Sequence, residues 1–396
     1  IFVGPSPEVM EKLGDKIAAK KIAIRAKVPV IEGAELKTSN IDEIKQIASK
    51  IGYPIMLKAA AGGGGRGMRV VKNEKLLERN YNEAKGEAGK AFNDETIFIE
   101  KFIDSPKHIE VQILADEQGN TVHLYERDCS VQRRFQKVIE VAPCQNIKQS
   151  TKDKLYNYAL SITKSVNYSN AGTVEFLVDQ DEQIYFIEVN PRIQVEHTIT
   201  EEITGIDIVR SQIQIARGYL LSDPQIHLNS QEDVPCNGFA IQCRITTEDP
   251  QNNFTPDYGT IIARRMANGY GIRIDAGSIY TGFKVSPFFD SMLVKVSAKG
   301  RTLKGTCRRM TRALSEFRVR GVKTNIKFLE NVISNEDFQD GKVTVNFIDK
   351  NPELFEFRKG RDRGTKALRF LGDVIVNGNS DVKIVKENHV FPIQKI

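Results

Sequence analysis

An alternating segment at residues 187–197, IEVNPRIQVEH, constrains the fold more than any other part of the sequence. Its odd positions from 187 to 195 are apolar. Its even positions are Glu188, Asn190, Arg192, Gln194 and Glu196. Successive side chains of an extended chain point to opposite faces. We therefore expect one face of this segment to carry two carboxylates, an amide pair and a guanidinium, with an apolar face behind it.

A second strand-like segment, TVEFLVD, precedes this one and carries Glu175 as its lone polar residue between apolar neighbours. The turn residues DQDEQ allow the two segments to form a hairpin, in which Glu175 lies near Glu188 and Asn190. Adjacent carboxylates repel each other, so a positive group is needed between them. Hard oxygen ligands of this kind suit Mg²⁺, which is usually bound together with phosphate oxygens.

A glycine run interrupts the segment LKAAAGGGGRGMRVV, in which Lys58 precedes Gly62–Gly65. Glycine lets backbone amides approach a ligand closely, and a row of amides can cradle phosphate oxygens. The run matches neither the P-loop pattern nor the dinucleotide-binding fingerprint. A flexible hairpin and a mobile phosphate flap both remain open, and the basic residues Lys58, Arg66 and Arg69 favour the flap.

Other polar segments have a structural interpretation beside a functional one. The acids could belong to a buried ion network with Arg192 or Lys137 instead of a metal site, and the two can coexist. His108, on a strand, is by itself more often structural. The loop-like basic run at 126–140 is either a solvated surface or an anion trap. A later basic helix offers only Phe317 for base stacking, so we expect no nucleic-acid partner.

Strand-like and helical segments along the chain indicate a mixed α/β (α+β) fold, and two or more domains are expected because 396 residues exceed one typical core. No apolar run approaches the roughly 20 residues of a membrane span. The five cysteines lack metal-binding spacing and predict free thiols in a reducing compartment. The net charge of +6 fits small phosphates. The missing initiator methionine suggests a piece of a longer polypeptide.

Six motifs occur in a fixed order: GDK, KAAAGGGGRGMRVV, HIEVQILAD, ERDCSVQRR, TVEFLV and FIEVNPRIQVEHTITE. Together they resemble the biotin carboxylase component of biotin-dependent carboxylases, which has an ATP-grasp fold. The resemblance runs from residue 1 to about 348. The segment RITTEDP and the tail that contains DRGTKALRFLGDVIVNG resemble pyruvate carboxylases more than acetyl-CoA or propionyl-CoA carboxylases.

The resemblance implies a domain organisation. We expect 1–30 to end an N-terminal lobe and enter the ATP-grasp, 31–103 to form a mobile glycine-rich lid subdomain, 104–234 the catalytic subdomain, 235–348 the biotin carboxylase C-terminal subdomain, and 349–396 a linker into the next domain. About a hundred residues of the family's N-terminal lobe are missing. Neither a biotin-attachment segment nor an acyl-transfer domain is present, so a biotinylated carrier domain and a carboxyltransferase domain are expected outside this sequence.

The resemblance also assigns residues to ligands. The ATP ligands are expected to be Lys16, Lys58, Gly63, Gly64, Gly65, Gly67, Met68, Glu100, Lys101, Ile103, His108 and Gln132. Glu175, Glu188 and Asn190 match the ligands of Mg²⁺ or Mn²⁺. Bicarbonate is expected to contact Arg192, Gln194, the Val195 backbone and Lys137. Glu196 matches the base, with a pKa that Arg192 lowers, and Arg273 matches the group that stabilises the biotin enolate.

The implied reaction is the carboxylation of protein-linked biotin by ATP and bicarbonate through carboxyphosphate, the first half-reaction in making oxaloacetate from pyruvate. Phe135 departs from the family's histidine and should lower ATP affinity or alter nucleotide choice. Asn268 departs mildly from the family's Gly-Gly. The alternatives are an acyl-CoA carboxylase component, a different ATP-grasp ligase and a nucleotide-binding regulatory subunit. A homo-oligomer with a dimer contact is expected, in the cytoplasm or, in a eukaryote, in the mitochondrial matrix.

Overall fold

The computed structural model describes residues 1–36, 38–60, 68–277, 279–357 and 363–378. The expected ATP ligands Gly63, Gly64, Gly65 and Gly67 therefore lie outside the described residues. Residues 1–355 form one compact unit, and a second unit begins at Glu356. None of the helices in the described ranges combines the length and the hydropathy that a bilayer span needs.

Two short helices open the chain, α1 (Pro7–Gly14) and α2 (Lys16–Arg25). Asp15 caps the second, because its carboxylate accepts a hydrogen bond from the Ala18 amide at 2.7 Å. This cap fixes where α2 begins. Lys16 and Lys20 are then one turn apart and share a face of the helix.

A four-stranded antiparallel sheet forms the expected lid region. Its strands are β1 (Gly33–Glu35), β2 (Ile55–Ala59), β3 (Met68–Val71) and β4 (Ile97–Lys101), in the order β1-β4-β2-β3. Helices α3 (Ile41–Ile51) and α4 (Leu77–Phe92) and a short 3₁₀ turn (Glu74–Leu76) join them. The apolar period of α3 buries Ile44 and Ala48 against Ile55 and Leu57 of β2. This core is separate from that of the main sheet.

The main sheet is antiparallel and has eight strands. Its first six strands are β5 (Lys107–Ala115), β6 (Thr121–Arg133), β7 (Gln136–Ala142), β8 (Asn170–Val178), β9 (Ile184–Asn190) and β10 (Phe239–Thr246). Helix α5 (Gln149–Ser165) lies between β7 and β8 in the chain, and helices α6 (His197–Thr204) and α7 (Ile208–Ala216) lie between β9 and β10. Residues of α2 and α5 share one core cluster with β5, β8 and β9, whereas α7 belongs to another. Both clusters fix the strand register, because a shift by one residue would move these apolar side chains out of their cores.

The rest of the first unit is rich in short strands. They are β11 (Glu248–Asp249), β12 (Thr255–Pro256), β13 (Gly259–Thr260), β14 (Ala263–Arg265), β15 (Ile272–Ala276), β16 (Lys284–Val285), β17 (Met292–Gly300) and β18 (Arg318–Arg320). The helices are α8 (Leu303–Glu316), α9 (Ile326–Ser334), α10 (Glu336–Gln339) and α11 (Phe347–Lys350), with 3₁₀ turns at Gln231–Asp233, Pro250–Asn252 and Pro352–Phe355. The main sheet runs β15-β17-β10-β7-β6-β5-β8-β9. The expected catalytic and C-terminal subdomains therefore share one sheet.

The second unit contains a helix, α12 (Arg363–Asn377). It lies in the segment that the sequence indicates as a linker. Leu368, Phe370, Leu371, Ile375 and Val376 are exposed along it. The subdomain boundaries, including the start of this linker, remain predictions.

Two expectations of local structure are wrong. Residues 187–197 are not one extended strand: β9 ends at Asn190, and α6 begins at His197. Pro191 has no amide hydrogen to continue the ladder, and the Arg192 amide turns back to the Asn190 carbonyl at 2.8 Å. The basic run at 126–140 is not a loop. It forms the β6–β7 hairpin, turned by left-handed residues at Arg134 and Phe135.

Candidate active site

A large cleft is lined by residues of both the lid sheet and the main sheet. Most of the expected site residues that the structure describes lie on its wall: Lys16, Lys58, Met68, Glu100, Lys101, Ile103, His108, Gln132, Lys137, Glu175, Glu188, Asn190, Arg192, Gln194, Val195 and Glu196. Arg273 is the one described exception. Strands of both sheets, the start of α2 and two loops thus gather side chains that are far apart in sequence.

The two acids of the predicted hairpin are cross-strand partners. Glu175 on β8 pairs with Glu188 on β9, and its other neighbour across β5 is Glu110. Asn190 donates its amide to Glu175 at 2.8 Å. The expected juxtaposition of Glu175 with Glu188 and Asn190 is therefore present in the structure. A third carboxylate, that of Glu110, was not foreseen.

Lys137 holds these carboxylates together. Its ammonium donates to Glu110, to Glu175 at 2.9 Å and to Glu196 at 2.7 Å. Burial alone would lower the pKa of Lys137, but Glu110 and Glu175 outweigh it and raise the pKa well above its ordinary value. Lys137 therefore stays charged at neutral pH. The sequence indicates Arg192 or Lys137 as the cation of an ion network, and in the structure Lys137 contacts the acids.

Sequence reasoning missed Arg127, which lies in the same basic run and is fully buried. Its guanidinium donates to Glu110 at 2.5 Å and to Gln194 at 3.2 Å. Three further acceptors are the side chains of Gln112, Thr173 and Thr200. The sequence contained a signal for a buried cation here. Strand alternation places Glu110 and Gln112 on one face, and a carboxylate that is buried on such a face must be paired with a positive charge. Arg127 is therefore part of the core of the site and not of a solvated surface.

Glu196 follows β9 in the loop before α6 and is buried. Lys137 contacts one of its oxygens, and Arg244 Nη2 donates to the other at 2.9 Å. Burial alone would raise the pKa of Glu196, but these two cations outweigh it and lower the pKa to about 2. Glu196 is therefore ionised at neutral pH. Arg192, expected to lower this pKa, instead donates to Asn190 at 3.1 Å and is exposed.

Arg273 does not line the cleft with the other described site residues. Its guanidinium is paired with Glu201 at 2.6 Å and with Asp275 at 2.9 Å. The arginine beside Glu196 is instead Arg244, on β10, whose Nε also donates to Glu140 at 2.6 Å. The alternation of FAIQCRIT, which puts Gln242 and Arg244 on one face, was the signal for it.

At the lid end of the cleft, Glu100 accepts from Lys58 at 2.6 Å and from Lys20 at 2.9 Å. The expected ligand Lys101 donates to the Gly52 carbonyl at 2.8 Å, at the end of α3. Phe135 lies on the cleft wall with 40% of its surface exposed. The ring at the family's histidine position is therefore available to a ligand.

His108 connects Gln132 to the acids. Gln132 donates to its Nδ1 at 2.6 Å, which assigns the proton to Nε2. Nε2 then donates to Glu175 at 2.6 Å. His108 and Gln132 thus orient Glu175 as well as lining the cleft.

The donor set of Glu175, Glu188 and Asn190 fits a divalent metal. Two carboxylates and an amide oxygen on paired strands are hard ligands that Mg²⁺ or Mn²⁺ prefers. Glu175 Oε1 already accepts hydrogen bonds from Lys137 and Asn190. A metal that binds this oxygen must therefore rearrange those donors.

Comparison with known proteins identifies the fold. A family model described as carbamoyl-phosphate synthase L chain, ATP binding domain, matches residues 15–223, and one described as biotin carboxylase C-terminal domain matches residues 242–350. The chain is 53% identical over 380 residues to a pyruvate carboxylase of Aspergillus terreus, covering 96% of this chain and 32% of the relative. The human protein named pyruvate carboxylase, mitochondrial, is 52% identical over 377 residues, covering 95% of this chain and 32% of the relative. The chain thus spans about a third of the curated relatives it matches.

Solved structures agree with these matches. The biotin carboxylase domain dimer of Hydrogenobacter thermophilus 2-oxoglutarate carboxylase, in complex with MgADP, ADP and bicarbonate, has a TM-score of 0.86 and 43% identity, covering 90% of this chain and 78% of that chain. Pyruvate carboxylase of Rhizobium etli has a TM-score of 0.87 and 48% identity, covering all of this chain and 35% of that chain. The chain therefore belongs to the biotin carboxylase family, with an ATP-grasp fold, and the curated relatives it resembles are pyruvate carboxylases.

Proposed function

We propose that this chain carboxylates biotin with ATP and bicarbonate, through a carboxyphosphate intermediate. One observation carries the proposal. Glu196 is held ionised between Lys137 and Arg244, next to the acid pair Glu175 and Glu188. A base beside two cations suits a small anion that must lose a proton before it attacks a phosphate.

Bicarbonate would bind where these charges converge. Arg192, Lys137 and the Val195 backbone provide donors, and Lys295 supports this loop because its ammonium donates to the Val195 carbonyl at 3.0 Å. Gln194 is held through its oxygen by Arg127, while its nitrogen donates to Glu175 at 2.8 Å. Glu196 would accept the bicarbonate proton, and its effectiveness depends on its position.

The oxygen freed by this proton transfer attacks the γ-phosphate of ATP, and the bond between the β- and γ-phosphates breaks. Lys16 and Lys58, which line the cleft, would spread the developing phosphate charge together with the glycine segment. Magnesium bound by Glu175, Glu188 and Asn190 would supply charge neutralisation of the triphosphate. His108 and Gln132 would keep Glu175 oriented for that purpose.

Carboxyphosphate then releases CO₂ and phosphate, and the phosphate takes the ureido proton of biotin. We assign the stabilisation of the resulting enolate to Arg244 and not to Arg273. Arg244 lines the cleft and contacts Glu196, whereas Arg273 is engaged by Glu201 and Asp275 outside it. The positive charge of Arg244 would stabilise the enolate oxygen next to the CO₂ it attacks.

For the longer protein that contains this chain, we propose the pyruvate carboxylase reaction, which converts pyruvate to oxaloacetate. The identity of 50 to 53% to pyruvate carboxylases from bacteria, fungi and mammals supports it. A biotinylated carrier domain, a carboxyltransferase domain and a second copy of this chain would be the partners. The compartment would be the cytoplasm, or the mitochondrial matrix in a eukaryote.

A different ATP-grasp ligase is the second candidate. It would phosphorylate an organic carboxylate, which is already ionised and has no proton for Glu196 to accept. ADP release by the intact protein separates the two: it should require bicarbonate, rise with free biotin and ignore a panel of organic acids. Release stimulated by an organic acid and indifferent to bicarbonate would refute the biotin carboxylase proposal. ATP binding without release under any condition would favour a regulatory subunit.

A further inference from the structure

Two lysines share one carboxylate at the lid end of the cleft. Glu100, on β4 of the lid sheet, is mostly buried, with 13% of its side chain exposed. Its two oxygens have different partners: Oε1 accepts from Lys20 at 2.9 Å and Oε2 accepts from Lys58 at 2.6 Å. All three residues line the cleft. The expected ATP ligand Lys58 is thus one arm of an ion triad.

The triad joins two parts of the fold. Glu100 and Lys58 lie on adjacent strands of the lid sheet, where Glu100 pairs with Met56, two residues before Lys58. Lys20 lies on α2, outside that sheet. The Glu100 carboxylate therefore connects β4, the last strand of the lid sheet, to α2. The buried residues of α2 belong to the core of the main sheet.

The triad also has a surplus of positive charge. Burial alone would raise the pKa of Glu100, but Lys58 and Lys20 outweigh it and lower the pKa to about 2. One carboxylate thus faces two ammonium groups, which leaves a net charge of +1 toward the cleft. Without Lys20, Glu100 and Lys58 would neutralise each other, and the carboxylate would hold Lys58 away from an incoming phosphate.

We propose that Lys20 is a positioning residue for the nucleotide: by holding Oε1 of Glu100, it leaves the charge of Lys58 available to the phosphates. The inference rests on the ATP-dependent function proposed above. It concerns the triphosphate and not the base or sugar, because Lys20 acts through Glu100 on a phosphate-binding lysine. Its signature is therefore a loss of affinity for ATP without a loss for adenosine.

The test measures the affinity of the intact protein for ATP and for adenosine by calorimetry, in wild type and Lys20→Met. We expect ATP affinity to fall about tenfold, the value of roughly one charge-assisted hydrogen bond, while adenosine affinity stays within about twofold. Lys20→Arg keeps a positive charge beside Glu100 and should bind ATP as tightly as wild type. Lys21→Met, on the exposed side of the same helix, is the matched control and should behave as wild type.

A second background tests the route through Glu100. In Glu100→Gln, where the carboxylate charge is gone, adding Lys20→Met should lower ATP affinity by less than about threefold. An undiminished loss in that background would mean that Lys20 acts on the phosphates directly and would overturn the inference. Equal losses for ATP and adenosine would mean a merely structural role and would also overturn it. A wild-type protein that binds no ATP would instead refute the proposed function.

Discussion

Arg127 offers the sharpest test of how the site is supported, because the substitution Arg127→Met removes a fully buried cation. Its guanidinium has five side-chain acceptors, among them Glu110 at 2.5 Å and Gln194 at 3.2 Å. Removing one partner of a buried charge pair costs about 3–5 kcal/mol. At about 2 °C per kcal/mol for a large domain, the melting temperature should fall by roughly 6–10 °C.

Circular dichroism during thermal unfolding of the intact protein measures this shift. Arg127→Lys keeps the charge beside Glu110 but loses the planar set of five donors, so its loss should be intermediate. Arg308→Met on the exposed side of α8 is the matched control and should shift the transition by less than about 2 °C. A transition of Arg127→Met within about 2 °C of wild type would refute the argument that this residue supports the cluster.

Three further predictions concern residues of the site: their effect on ADP release, on stability against pH and on the KM for ATP. Arg244→Met should lower biotin-stimulated ADP release by about 10²-fold, as expected for a lost oxyanion donor, whereas Arg273→Met should lower it by less than about threefold; equal losses would contradict our reassignment. The pKa of Glu196 is about 2 against an ordinary 4.5, so its stabilising contribution is complete above pH 4.5 and is lost as the pH falls toward 2. The free energies of unfolding of wild type and Glu196→Gln, measured between pH 2 and 7, give that contribution as their difference. A difference in unfolding free energy that shrinks above pH 5 would contradict the prediction. Phe135→His should lower the KM for ATP by about 2- to 10-fold, the value of one net hydrogen bond, and Phe135→Leu should not.

The sequence predicts the local pairing of the site well. Strand alternation and the short turn after β8 were enough to place Glu175 beside Glu188 and Asn190, because the hairpin partners are close in the chain and their register is set by the apolar face. The apolar period of α3 is a pattern of the same local kind. These elements depend on local pattern, which a single sequence contains.

The non-local contacts were not predictable in the same way. Arg244 reaches Glu196 only because β10 pairs with β7 inside a sheet that crosses the expected subdomain boundary. Motif matching therefore selected Arg273. Strand alternation on β15 accounts for its ion pair with Asp275, but its ion pair with Glu201 of α6 is non-local. The Lys20–Glu100 contact joins residues 80 positions apart. Pairing of this kind depends on sheet order, which strand periodicity does not determine.

The same limit applies to the segment at 187–197. Its alternation is real, but Pro191 ends the ladder, and Gln194 and Glu196 become buried in a loop instead of lining one face of a strand. The five groups still converge on the cleft. The composition of the segment thus predicted its chemistry better than its backbone conformation.

The central claim is that Glu196 deprotonates bicarbonate for attack on ATP. The most direct measurement is bicarbonate-dependent ADP release by Glu196→Gln in the intact protein, alongside its affinity for ATP. Glutamine preserves the shape and keeps one acceptor oxygen for Lys137 or Arg244, but it cannot accept the proton. The account predicts that bicarbonate-dependent release falls by about 10²-fold or more while ATP binds as in wild type. Undiminished release would contradict the assignment of Glu196 as the base.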